Sequence, residues 1–208
     1  MPRYIKKIWS GDVYEAEEYY SPRCIGKNYE RGRNELLTSK EQQERNLRYA
    51  RKKLSRKINA NFKRGDLFVT LTHIDRVDYA EARHQLGNFL KRLKRWRKKH
   101  GLEPLKYIAV TEEGKSKRKH HHLIINGMGI SLQELTDLWG LGRVMVSQLE
   151  PGGDYTGLAK YITKECLPDR SKRWTCSRNL VDPKIKVMEM KSEKPQGRMT
   201  VPKGYREV

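Results

Sequence analysis

Three consecutive histidines, His120-His121-His122, run directly into the apolar segment Leu123-Ile124-Ile125. An aliphatic, β-branched run of this kind reads as a strand entering a core. Strand side chains alternate between faces, so His120 and His122 share one face while His121 points to the other. Two imidazoles held side by side at the rim of a sheet are candidate ligands for a divalent metal. The chain must therefore build a sheet around this segment.

The neighbouring segments supply it. Leu67 to Thr72 is rich in aliphatic and β-branched residues and reads as a buried strand. Asp78 to Lys99 carries Ala82, Leu86, Leu90 and Leu93 at helical spacing. Leu105 to Glu112 and Lys119 to Asn126 read as two strands whose short link contains Gly114, so they should pair antiparallel. Ser131 can cap a short helix bearing Leu132, Leu135 and Leu138, and Val144 to Leu149 reads as another strand. Pro151-Gly152-Gly153 precedes a helix expected from about Asp154 to Glu165. The order over residues 66–165 is β-α-β-β-α-β-α, which predicts an α+β fold with helices packed on a central antiparallel sheet.

Outside this core, residues 3–20 read as a hairpin turning at Ser10-Gly11-Asp12, and residues 21–38 as loop. A basic helix should begin at Ser39, where Ser39-x-x-Gln42 suits a capping box, with Leu47, Leu54, Ile58 and Phe62 facing inward. Lys172 to Cys176 and Lys184 to Met190 read as further strands. The expected organisation is an appended hairpin and basic helix over residues 1–64, a core over residues 65–170, and a C-terminal extension over residues 171–208.

Lysine and arginine number 45 against 25 acidic residues, a formal charge of +20. Such an excess attracts polyanions, nucleic acid foremost. The basic residues cluster between Arg45 and Arg64 and again between Lys91 and Lys99. Lys91, Arg92, Lys94 and Arg95, with Lys160 further on, are the expected contacts to DNA phosphates. Trp96 either stacks on unpaired bases or packs at a helix edge. Three cysteines without a Cys-x-x-Cys pair fit a reducing cytoplasm and argue against a disulfide framework or thiolate zinc site. Neither a signal peptide nor a membrane-spanning stretch is expected, and no nucleoside-triphosphate loop occurs, so any helicase comes from elsewhere.

Glu112 and Glu113 end the strand that faces His120 and His122 across the hairpin, and only one of them can share the histidine face. Alternation with Ile108 and Val110 favours Glu112 as third ligand; a one-residue register change would substitute Glu113. Imidazoles with a carboxylate suit Mn²⁺ or Mg²⁺. In the last helix, Tyr161 and Lys164 are three apart and would share a face. A phenol, with an ordinary pKa of about 10, becomes a nucleophile only where its anion is stabilised, and Lys164 could do this. Tyr155, with Lys160, is the competing nucleophile.

The His120-His121-His122-Leu-Ile-Ile segment resembles the His-hydrophobe-His motif of HUH endonucleases, in particular the rolling-circle replication initiators of phages and small plasmids. Histidine here replaces the usual hydrophobe or tyrosine at the middle position, which leaves the ligand spacing intact. Leu67-Phe-Val-Thr-Leu-Thr72 is similar to the first motif of that family, and Gly157-Leu-Ala-Lys160-Tyr161-Ile-Thr-Lys164 to its third. Two-tyrosine members carry a second tyrosine where Gly157 stands, so this chain resembles a single-tyrosine version. The resemblance implies a ferredoxin- or RRM-like core over about residues 66–165 and a cation held by His120, His122 and Glu112. It also implies attack by Tyr161, assisted by Lys164, on single-stranded DNA at a replication origin. Host helicase and polymerase would be partners, in a bacterial cytoplasm. A relaxase, a single-tyrosine transposase or a non-catalytic nucleic-acid-binding module would share parts of this pattern.

Overall fold

In the computed structural model, the described residues are 1–23, 26–29, 39–114, 116–127, 129–150, 154–164, 174–191 and 201–207. Strands β1 (Arg3–Ser10) and β2 (Val13–Tyr20) form the expected hairpin, with Ser10 opposite Val13. Gly11 turns it with φ +58°, and a Cβ there would fall 2.2 Å from the Asn59 carbonyl oxygen, so only glycine fits. Helix α1 (Lys40–Asn59) starts where expected, Ser39 accepting from the Gln42 amide. Strand β8 (Lys184–Met190) returns from far along the chain to pair with β1, and β9 (Arg206–Glu207) lies parallel to β2. The resulting sheet has the order β8-β1-β2-β9.

The second sheet is the expected antiparallel core. It comprises β3 (Leu67–Thr72), β4 (Tyr107–Glu113), β5 (Lys119–Ile125), β6 (Val144–Gln148) and β7 (Thr175–Cys176), in the order β6-β3-β5-β4-β7. With α2 (Tyr79–Lys99), α3 (Leu132–Trp139) and α4 (Thr156–Tyr161), the β-α-β-β-α-β-α order and the α+β class hold. Of the strand read over 172–176, Thr175–Cys176 is paired, and residues 172 and 173 lie outside the described residues. Capping chemistry sets two helix starts: Asp78 accepts from Glu81 N, and Ser131 and Glu134 form a reciprocal box.

Strand alternation divides the core into two layers. Val69, Leu71, Ala109, Leu123 and Ile125 face α2 and α3, burying Leu86, Phe89, Leu90, Leu93, Leu135 and Trp139. Ile108, Val110 and Ile124 face α1 and α4 with Leu54, Ile58, Ala159 and Ile162. Each fully buried aliphatic or aromatic side chain contributes about 1.5–3 kcal/mol, so both layers hold the sheet in register. No helix among the described residues is long and apolar enough to cross a membrane.

Candidate active site

Strand β5 is central, and its register decides which side chains meet. Thr70 and Val110 flank His122, and Thr72 and Glu112 flank His120. Cross-strand partners share a face, so these groups stand on the side covered by α1 and α4. Thr70 Oγ1 is 3.2 Å from His122 Nδ1, and Thr72 Oγ1 is 3.0 Å from His120 Nδ1. With Nδ1 tied to β3, each ring turns its Nε2 towards β4. His122 Nε2 lies 3.4 Å from Glu112 Oε2. Oε1 of the same carboxylate is buried without a hydrogen-bond partner. A buried, unsatisfied carboxylate oxygen is costly, and a cation beside it would relieve that cost.

The register separates the two glutamates. Glu113 lies on the opposite face, where the Lys119 ammonium donates to it and holds its carboxyl below the usual carboxylate range. His120 Nε2 leans towards the hairpin end, where a Cβ on Gly114 would come within 2.5 Å of it. That glycine admits the ring. Among the described residues, no three His, Cys, Asp or Glu side chains already converge at metal-ligand spacing.

The two tyrosines part company as well. The Tyr161 ring stands 5.6 Å from the His122 ring and 6.1 Å from Phe68, and Phe68 stacks on His122 at 5.7 Å with 8° between planes. Tyr161 is 57% exposed, open to a substrate. Tyr155 is buried, its hydroxyl donates to the Glu150 carbonyl, and burial pushes its phenol above the ordinary range. Tyr155 is a core residue; the Tyr161 ring faces His122.

Helix α4 is shorter than its sequence pattern suggests. It ends at Tyr161, with Ile162 as C-cap, and the Lys164 amide donates to the Tyr161 carbonyl in the turn that follows. Lys164 is therefore beyond the helix and exposed, and Lys160 is exposed in its last turn; Glu165 is outside the described residues. Helix α1 fixes α4 at both ends. Asn59 Oδ1 accepts from Tyr155 N at 2.9 Å, the hydroxyls of Ser55 and Thr156 are 2.9 Å apart, and Arg51 Nε donates to Thr163 Oγ1 at 3.0 Å. Nothing local in the sequence marks these positioning contacts, since they join segments about a hundred residues apart. The threonines of β3 did leave a signal: their alternation matches that of the histidines.

The basic clusters divide between exposed residues and residues engaged within the protein. Helix α2 packs on the far face of the sheet from His120 and His122. Arg92 is no free phosphate ligand, because its guanidinium donates to the carbonyls of Leu138 and Trp139 and so caps α3. Lys94 lies over the Tyr107 ring, while Lys91 and Arg95 are exposed. Trp96 stacks on His100 at 4.1 Å. On α1, Arg56 pairs with Glu15 and Glu17, Lys52 with Glu17, and Lys57 with Asp182. Much of that basic run is thus engaged internally.

His121 lies on the far face and is fully buried. Its Nδ1 is 2.9 Å from Thr111 Oγ1, and its Nε2 is 2.8 Å from His73 Nε2, so one imidazole donates and the other accepts. Burial, with His73 next in weight, pushes His121 down to about 3, so it is neutral.

Residues 66–166, nearly half of the chain, match the family model described as replication-associated protein ORF2/G2P. The matched stretch spans β3 to α4 and so includes His120, His122, Glu112 and Tyr161. It supports a role in DNA replication. No curated protein and no solved structure matches the chain.

Proposed function

We propose that the chain is a metal-dependent enzyme that nicks and rejoins single-stranded DNA at a replication origin, a single-tyrosine HUH endonuclease. One observation carries this reading: an exposed tyrosine ring stands 5.6 Å from a histidine ring whose Nε2 is 3.4 Å from a buried carboxylate with an unsatisfied oxygen. The match to replication-associated proteins supports the biological setting.

His120, His122 and Glu112 would hold a divalent cation such as Mg²⁺ or Mn²⁺. When bound, that ion polarises the scissile phosphate as a Lewis acid. All three groups stand on one face of the sheet. Thr70 and Thr72, within hydrogen-bond reach of the two Nδ1 atoms, would accept their protons in the ligating tautomer, in which each Nε2 presents its lone pair to the cation. Tyr161 Oη attacks phosphorus and gives its phenolic proton to solvent, the bond from phosphorus to the 3′-oxygen breaks, and that oxygen takes a proton from solvent. The products are a 5′-phosphotyrosine and a free 3′-hydroxyl, which can prime a host polymerase behind a host helicase. Attack by a 3′-hydroxyl on the same phosphorus rejoins the strand, because the adduct keeps the phosphoester. Lys160 and Lys164, exposed beside Tyr161 in the chain, would steady phosphate or phenolate charge.

Incubation with single-stranded DNA and Mn²⁺ should give an SDS-resistant protein–DNA adduct. The adduct should vanish with chelator and in Tyr161→Phe, and persist in Tyr155→Phe. Loss in Tyr155→Phe with retention in Tyr161→Phe would transfer the nucleophile's role; no adduct with any strand would leave a DNA-binding module.

A further inference from the structure

Between α4 and the edge strand β6, an open pocket of about 390 Å³ adjoins Tyr161. Phe68, Leu158 and the Tyr161 ring form its apolar wall, and Glu150 and Asp154 stand at its rim. Gly157 also lines it, and a Cβ built there meets nothing within 4 Å, so the space over α4 is open because that residue has no side chain.

The charge of this pocket runs against that of the chain. The whole protein carries +20, yet among the described residues no lysine or arginine lines the cavity and two carboxylates do. Phosphate is therefore repelled here. The remaining part of a single strand is its bases, which offer a flat π face and a polar edge. Aromatic walls stack on the face, and carboxylates accept from an exocyclic amine. Adenine and cytosine present such an amine, and thymine does not.

We propose that this pocket receives the unpaired nucleobase next to the scissile phosphate and prefers adenine or cytosine to thymine. Its position beside the scissile phosphate rests on Tyr161 being the nucleophile. Base binding needs neither the cation nor the covalent step, so the two readings fail separately.

The test measures binding of labelled homopolymers of dA, dC and dT, about ten nucleotides long, by fluorescence anisotropy with chelator present. Wild-type protein should bind dA and dC about three- to tenfold more tightly than dT, the range expected of the net contribution of one added hydrogen bond at an open, solvated site. Gly157→Leu fills the pocket and should level the three affinities, while Gly157→Ala should keep the preference and report that the helix tolerates a side chain. As a second measurement, deoxycytidine, but not inorganic phosphate, should shift the Gly157 and Ser147 amide resonances. Equal wild-type affinities, or selectivity unchanged in Gly157→Leu, would overturn the proposal whether or not an adduct forms with metal. Phosphate-induced shifts at Gly157 would overturn it too, by making the pocket an anion site.

Discussion

On one face of the five-stranded sheet, His121 is sealed among His73, Thr111 and Trp139; on the other, His120 and His122 stand beside Glu112 and Tyr161. The three residues are identical and adjacent, and strand parity alone sends them to opposite environments. The buried imidazole satisfies its hydrogen bonds within the protein and is kept neutral. In the outer pair, each Nδ1 lies within hydrogen-bond reach of a threonine of β3, and His122 Nε2 lies beside Glu112. One side anchors β5 in register and the other carries the candidate ligands of the proposed site, the division that a preorganised site requires.

Substitutions can break that contrast. His122→Ala should reduce adduct formation by about 10²-fold or more while costing about 1 kcal/mol of stability, measured by gel assay and by urea unfolding. His121→Ala should do the reverse. It leaves a cavity and an unpaired His73, so stability should fall by about 2–4 kcal/mol, with metal affinity in the folded fraction little altered. Equal stability losses in the two variants would erase the distinction between faces.

Acidity offers a gentler probe. The folded-state pKa of His121 is depressed from 6.5 to about 3, and burial also lowers that of His73. The unfolded chain therefore binds more protons in this interval. The stabilisation is fully present above the unfolded value and declines as pH falls below about 6.5, with a slope approaching 1.4 kcal/mol per pH unit for each such histidine. Urea unfolding at pH 7.5 and 5.5 should show the drop, and a flat profile would argue against a neutral, buried pair. The smallest effect expected is that of Thr70→Val or Thr72→Val, about tenfold weaker Mn²⁺ binding by calorimetry. Nitrogen chemical shifts should also show that the Nδ1-protonated tautomer of His122 or His120 is no longer favoured. Unchanged tautomers would mean that the threonines only pack.

Much of the site was legible because it rests on period-two alternation. Parity paired His120 with His122, and alternation from Ile108 and Val110 picked Glu112, whose position opposite His120 the register then fixed. Capping residues Ser39 and Ser131 marked two helix starts because a cap acts within one turn. The use of each basic residue was not legible. Arg92, Arg51 and Arg56 look like surface charge in sequence, but their partners come from other elements. The end of α4 was missed as well, since helical periodicity continues past Tyr161 while the backbone turns.

Local sequence determined the elements, the face each strand residue occupies and the charge that draws a polyanion, because these depend on neighbours a few residues away. Tertiary structure decided the rest: which tyrosine looks at His122, that α2 lies behind the sheet, and that β8 closes on β1. Those outcomes depend on contacts between distant segments, and loop closure and packing leave no periodic mark on the chain.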